Sequence, residues 1–90
     1  MPNFNQPLVS IITVVYNNDE YIRDAIESVL SQDYSRIEHI VIDGGSTDGT
    51  IDIIKEYSDK ISIFLSEPDE GIFDALNKGI VRSHGEIIGI

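Results

Sequence analysis

The stretch Ile37-Glu-His-Ile-Val-Ile-Asp-Gly-Gly-Ser-Thr-Asp-Gly-Thr50 joins a β-rich run to a glycine-rich turn and the start of a helical pattern. Glycine lets the backbone turn sharply and approach a ligand closely, and Ser46 or Thr47 offers an N-cap ahead of Ile51, Ile54 and Tyr57 on one helical face. Asp43, at the strand end, carries a carboxylate that could accept a hydrogen bond from a base N–H or a ribose hydroxyl. It could equally bond the local amides of an ordinary β-α turn. Asp48 reads as first-turn helix chemistry, since acids are favoured near a helix N-terminus.

The same step recurs on either side. Leu8 to Val15 is apolar with hardly a polar break, the pattern of a central strand covered on both faces. It stops at Tyr16-Asn17-Asn18, where Asn17 can cap a helix with Glu20 at the capping-box position, and Ile22, Ala25, Ile26, Val29 and Leu30 recur at helical spacing. Ile61 to Leu65 reads as a third strand. A helical pattern through Phe73, Leu76 and Ile80 closes at Ser83-His84-Gly85, and a fourth strand begins at Glu86. Strands alternating with helices predict an α/β fold, a Rossmann-like parallel sheet with helices on both faces, whose ligand crevice lies at the carboxyl ends of the strands.

Composition narrows the classes. Ninety residues allow one domain or part of one. A formal charge of −10, from 16 acids against 6 bases, argues against nucleic acid or an anionic lipid surface as partner. With no cysteine there is no disulfide framework or thiolate metal site, and no apolar run approaches the ~20 residues of a transmembrane segment. The expectation is a cytoplasmic protein, with membrane association of a complete protein as the alternative. An acidic chain that binds phosphate needs a helix N-terminus or a carboxylate-held cation to offset the charge.

Two nucleotide motifs are absent. The Gly-x-Gly-x-x-Gly fingerprint should follow the first strand, where Tyr16-Asn17-Asn18 stands, and there is no Walker-type Gly-Lys-Ser/Thr. Tyr16 could stack on a base or simply pack on the neighbouring turn. Asp74 and Lys78 are spaced as a solvated i, i+4 ion pair. His39 and His84 show no metal-like spacing and receive no role.

Taken together, Val9-Ser-Ile-Ile-Thr-Val-Val-Tyr-Asn-Asn18, Ser28-Val-Leu-Ser-Gln-Asp33, Val41-Ile-Asp-Gly-Gly-Ser-Thr-Asp-Gly-Thr50 and Glu67-Pro-Asp-Glu-Gly-Ile-Phe-Asp-Ala-Leu-Asn-Lys-Gly79 resemble the family 2 glycosyltransferases. The resemblance implies a GT-A fold that binds a nucleotide-diphospho-sugar and transfers its sugar, with inversion and a Mg or Mn ion, to the hydroxyl of a sugar or lipid-linked acceptor in polysaccharide or glycoconjugate synthesis. It places Thr13, Tyr16 and Asn17 beside the base and ribose, Asp43 at the nucleotide, and Asp69, Asp74 and Asn77 along the phosphates and donor sugar. Two positions depart from the commonest pattern. Many relatives have a second Asp where Gly44 stands and an Arg where Leu76 stands, which leaves the base open and removes a phosphate contact.

The family's acidic metal-binding motif is expected just after the strand that begins at Glu86. Residues 1–90 are therefore expected to be the nucleotide-sugar-binding half of the domain, with no metal site of their own, with the catalytic base after Ile90, and with a sheet edge open to homo-oligomer formation. The competing classes are a phospho-acceptor receiver module, which wants an Asp pair after the first strand that is not there, and a non-catalytic interaction domain that keeps only the fold.

Overall fold

The computed structural model describes residues 6–90. Its elements alternate along the chain: β1 (Val9–Val15), α1 (Asp19–Leu30), β2 (Ile37–Asp43), α2 (Thr50–Glu56), β3 (Ile63–Ser66), α3 (Ile72–Arg82) and β4 (Ile87–Gly89). The four strands form one sheet in the order β3-β2-β1-β4, and every pairing is parallel. β1 and β2 pair along their whole length, from Val9 opposite Ile37 to Val15 opposite Asp43. The largely apolar run of β1, broken only by Ser10 and Thr13, has its cause here, because a strand with neighbours on both sides and helices on both faces has no wet side.

Alternation along the strands sends side chains into two cores. Val15 and Val41 pack with Ile22 and Ile26 of α1 and Ile54 of α2 on one face of the sheet. Ile12, Ile40 and Ile42 pack with Ala75 of α3 on the other. Each fully buried isoleucine contributes about 1.5–3 kcal/mol relative to exposure, and most of the largest buried side chains are isoleucines.

Several local expectations need correction. Phe73 is not a core residue: it is 84% exposed, and Ala75 and Gly79 face the sheet instead. A Cβ on Gly79 would lie 2.6 Å from Ile12 Cγ2, so α3 approaches β1 more closely than any larger residue permits. The third strand begins two residues later than its apolar run, because Ile61 is held back by its amide bond to the Tyr57 carbonyl and packs beside α2. Neither proposed N-cap operates. Asn18 and Gly49 occupy the cap positions of α1 and α2, without side-chain cap bonds. Asp48 instead folds back on the start of α2, where its Oδ1 accepts from both the Thr50 amide (2.9 Å) and the Thr50 hydroxyl (2.5 Å). The hydroxyl bond holds the Asp48 carboxyl below its usual range.

Candidate functional site

The carboxyl end of β1, the loop between β3 and α3 and the start of α3 border an open groove of about 310 Å³, lined by Val14, Val15, Tyr16, Asp69, Gly71, Ile72 and Ala75. Tyr16 is 61% exposed, its ring free of the core. Gly44 lies between two of these residues: a Cβ there would lie 2.8 Å from Asp69 Oδ2 and 3.3 Å from Tyr16 Cδ1. Tyr16, Gly44 and Asp69, drawn from three loops, thus converge. A ring for stacking and a carboxylate oxygen for accepting hydrogen bonds stand on either side of bare backbone.

Asp43 lies beside this groove but does not open onto it. Its carboxylate has no exposed surface, and its bonds are spent on the turn. Oδ2 accepts from Gly45 N (3.0 Å), Ser46 N (2.8 Å) and Ser66 Oγ (2.8 Å), and Oδ1 from Ser46 Oγ (2.5 Å). Of the two readings that the sequence leaves for Asp43, the bond to local amides is the geometry observed. The glycine-rich turn is held from within by one buried carboxylate, satisfied at every step.

Asn17 is likewise committed. Its backbone has a φ of +46°, a left-handed conformation that Asn tolerates better than most residues. Its Oδ1 accepts from Thr47 N (2.7 Å) and Asp48 N (3.3 Å), while its own amide donates to Ser46 Oγ (2.8 Å). Asn18 N donates to Thr50 Oγ1, and Gly49 N to Asp19 Oδ2. The loop after β1 is stitched to the loop after β2, and Tyr16 is set at its angle by that seam. Thr13 is not part of the groove. It points into the core on the α1 and α2 face, with Oγ1 2.8 Å from Nε2 of buried His39.

The loop between β3 and α3 carries the remaining expected residues. Asp69 Oδ1 accepts from Gly71 N, leaving Oδ2 turned toward Gly44. Asp74 Oδ2 accepts from Glu70 N (2.9 Å), and that bond, with the nearby Lys78 ammonium, holds its carboxyl below the usual range. Asn77 is exposed on α3 and is not among the groove-lining residues. Nothing local in the sequence marks Ser66 as a partner of Asp43, or Val14 and Ile72 as groove walls. The Ala75-x-x-x-Gly79 spacing was the one available sign that α3 would seat so close. Among the described residues no group of three or more His, Asp or Glu is placed to hold a metal ion.

The family model for glycosyl transferase family 2 matches residues 10–90. The chain belongs to that family. It is 49% identical over 84 residues to an uncharacterized glycosyltransferase of Rickettsia typhi, covering 93% of this chain and 26% of that protein. It is 39% identical to glycosyltransferase AglE of Haloferax volcanii, over 91% of this chain and 29% of that one. Among solved structures it superposes on the mannosyltransferase PcManGT from Pyrobaculum calidifontis, in complex with GDP-Man and Mn2+, with a TM-score of 0.84 and 27% identity over 94% of this chain and 27% of that one. S. aureus TarS residues 1-349, in complex with UDP-GlcNAc, gives a TM-score of 0.82 and 27% identity over 90% and 25%. The α/β sheet of this family 2 chain is therefore that of GT-A glycosyltransferases, and the chain spans about a quarter to a third of the length of these relatives. No helix among the described residues is long and apolar enough to cross a membrane.

Proposed function

We propose that this family 2 chain forms the nucleotide-binding side of an inverting glycosyltransferase, which moves a sugar from a nucleotide-diphospho-sugar to a hydroxyl of a sugar or lipid-linked acceptor in cytoplasmic polysaccharide or glycoconjugate synthesis. The observation that carries the reading is the convergence of Tyr16, Gly44 and Asp69 at the carboxyl ends of parallel strands, where ligands bind in open α/β sheets. Relatives in complex with GDP-Man and UDP-GlcNAc support the donor class. In this reading Tyr16 stacks on the base and Asp69 accepts from a base N–H or ribose hydroxyl. Asp43 and Asn17 act one step back, by shaping the turn and angling Tyr16. Asp74 and Asn77 lie toward the donor sugar.

A neighbour in complex with Mn2+ supports a divalent cation, Mg or Mn, in the whole enzyme. None of the described residues is assigned to hold it. The general base on the acceptor hydroxyl is a carboxylate that we assign to no residue of this chain. Inversion follows from attack on the anomeric carbon opposite the departing diphosphate. The outer edge of β4, unpaired in this sheet, is where a second copy would add in a homo-oligomer.

Titration of the chain with UDP and with GDP, followed by calorimetry, tests the reading. At least one should bind, and Tyr16→Ala should weaken it by about tenfold or more, as loss of a stacked base does. A folded chain that takes up neither at millimolar concentration would overturn it.

A further inference from the structure

We infer that Lys78 is a positioning residue for the groove, holding the β3–α3 loop so that Asp69 faces Gly44 beside Tyr16 without itself touching the ligand. The inference rests on the nucleotide-sugar reading above. As an i, i+4 partner of Asp74, Lys78 would be an ordinary solvated ion pair, yet that leg is the longest of three. Nζ lies 3.5 Å from Asp74 Oδ2, 3.3 Å from Glu67 Oε2, and 3.0 Å from the carbonyl oxygen of Pro68, ten residues back along the chain. An ammonium has three N–H donors, and here three acceptors surround it. The side chain is only 18% exposed, well below its acidic partners.

What those bonds enclose is Asp69. The Pro68 carbonyl belongs to the same planar peptide unit as the Asp69 amide, so fixing one fixes the other. On the far side the Glu70 amide is held by Asp74 Oδ2, the oxygen that Lys78 itself approaches. Both neighbours of Asp69 are thus tied, directly or through one carboxylate, to a single ammonium on the second turn of α3. That helix is footed on the sheet through Gly79 against Ile12. Lys78 also offsets Glu67 and Asp74, two carboxylates beside a site that must admit an anion.

Lys78→Met and Lys78→Gln, each checked for unchanged amide protection at core residues Ile40 and Val41, test the inference in the full chain. Hydrogen exchange should speed up by about tenfold at the Glu70 and Gly71 amides, the scale of a lost charge-assisted hydrogen bond. Affinity for the unphosphorylated nucleoside and for the nucleoside diphosphate should fall together, each by about tenfold. Loss confined to the diphosphate would mean that Lys78 contacts phosphate and would overturn the inference, as would wild-type exchange at Glu70 and Gly71. Should the wild type bind no nucleotide at all, the functional reading fails, and the exchange data alone decide whether Lys78 holds the loop.

Discussion

The side-chain oxygen of Asn17 lies 2.7 Å from the backbone nitrogen of Thr47, and this hydrogen bond is the tightest stitch between the loops after β1 and β2. Thirty residues apart in sequence, the two segments behave as one surface.

That seam can be cut at one position. Asn17→Ala removes the acceptor for the Thr47 and Asp48 amides and puts a less tolerant residue at a φ of +46°. A loss of about 1–3 kcal/mol is expected in urea unfolding. Asn17→Gly, which suits the backbone but lacks the acceptor, should recover part of it.

Asp43→Ala would strip the partner from two amides and two hydroxyls in a buried turn. The expected cost is about 3 kcal/mol, read from chemical denaturation, with nucleotide binding lost as a consequence. A variant that kept wild-type stability while losing binding would restore Asp43 as a direct ligand contact.

His39 makes stability depend on pH. Burial pushes its imidazole down from 6.5 to about 4, so the folded protein holds it neutral while the unfolded chain takes up a proton. The contribution is fully present above pH 6.5 and is lost as pH falls toward 4, to a total of about 3 kcal/mol. His39→Gln, whose amide can still meet Thr13, should flatten the pH dependence of Tm between pH 6.5 and 4.5 relative to wild type.

Gly79→Val drives a branched side chain into Ile12, where even a Cβ would lie 2.6 Å away. Overpacking of this kind costs about 1–3 kcal/mol, and thermal unfolding measures it. Phe73→Ser, at an exposed site on the same helix, should shift stability by less than about 0.5 kcal/mol.

Much of this was legible in the sequence. The apolar runs locate β1 and β2 almost to the residue, because doubly covered strands are built mainly of β-branched apolar residues, and four ordered motifs point to the family. What escaped was any bond between segments distant along the chain. Asn17 followed by Glu20 has the spacing of a capping box, and nothing local shows that its oxygen is taken by Thr47. Asp43 looked equally able to serve a ligand or a turn, and the choice lies with Ser46 and Ser66, the latter 23 residues away. Phe73 fitted a helical stripe, but the close seat of α3 reserves the sheet side for Ala75 and Gly79. Helical periodicity identifies a face without stating how near the sheet will come.

Gly71 joins the Asp69 loop to α3 with a φ of +115° and nothing within 4 Å of where its Cβ would be. On one side of it the helix is wedged against Ile12 through Gly79, and on the other the loop hangs from Asp43 and Lys78. Loop and helix therefore meet at a backbone conformation that glycine alone adopts without strain, although there is room for a side chain. An L-residue at that position would strain the very joint that sets the Asp69 loop against α3, so the shape of the groove wall depends on an atom that is not there.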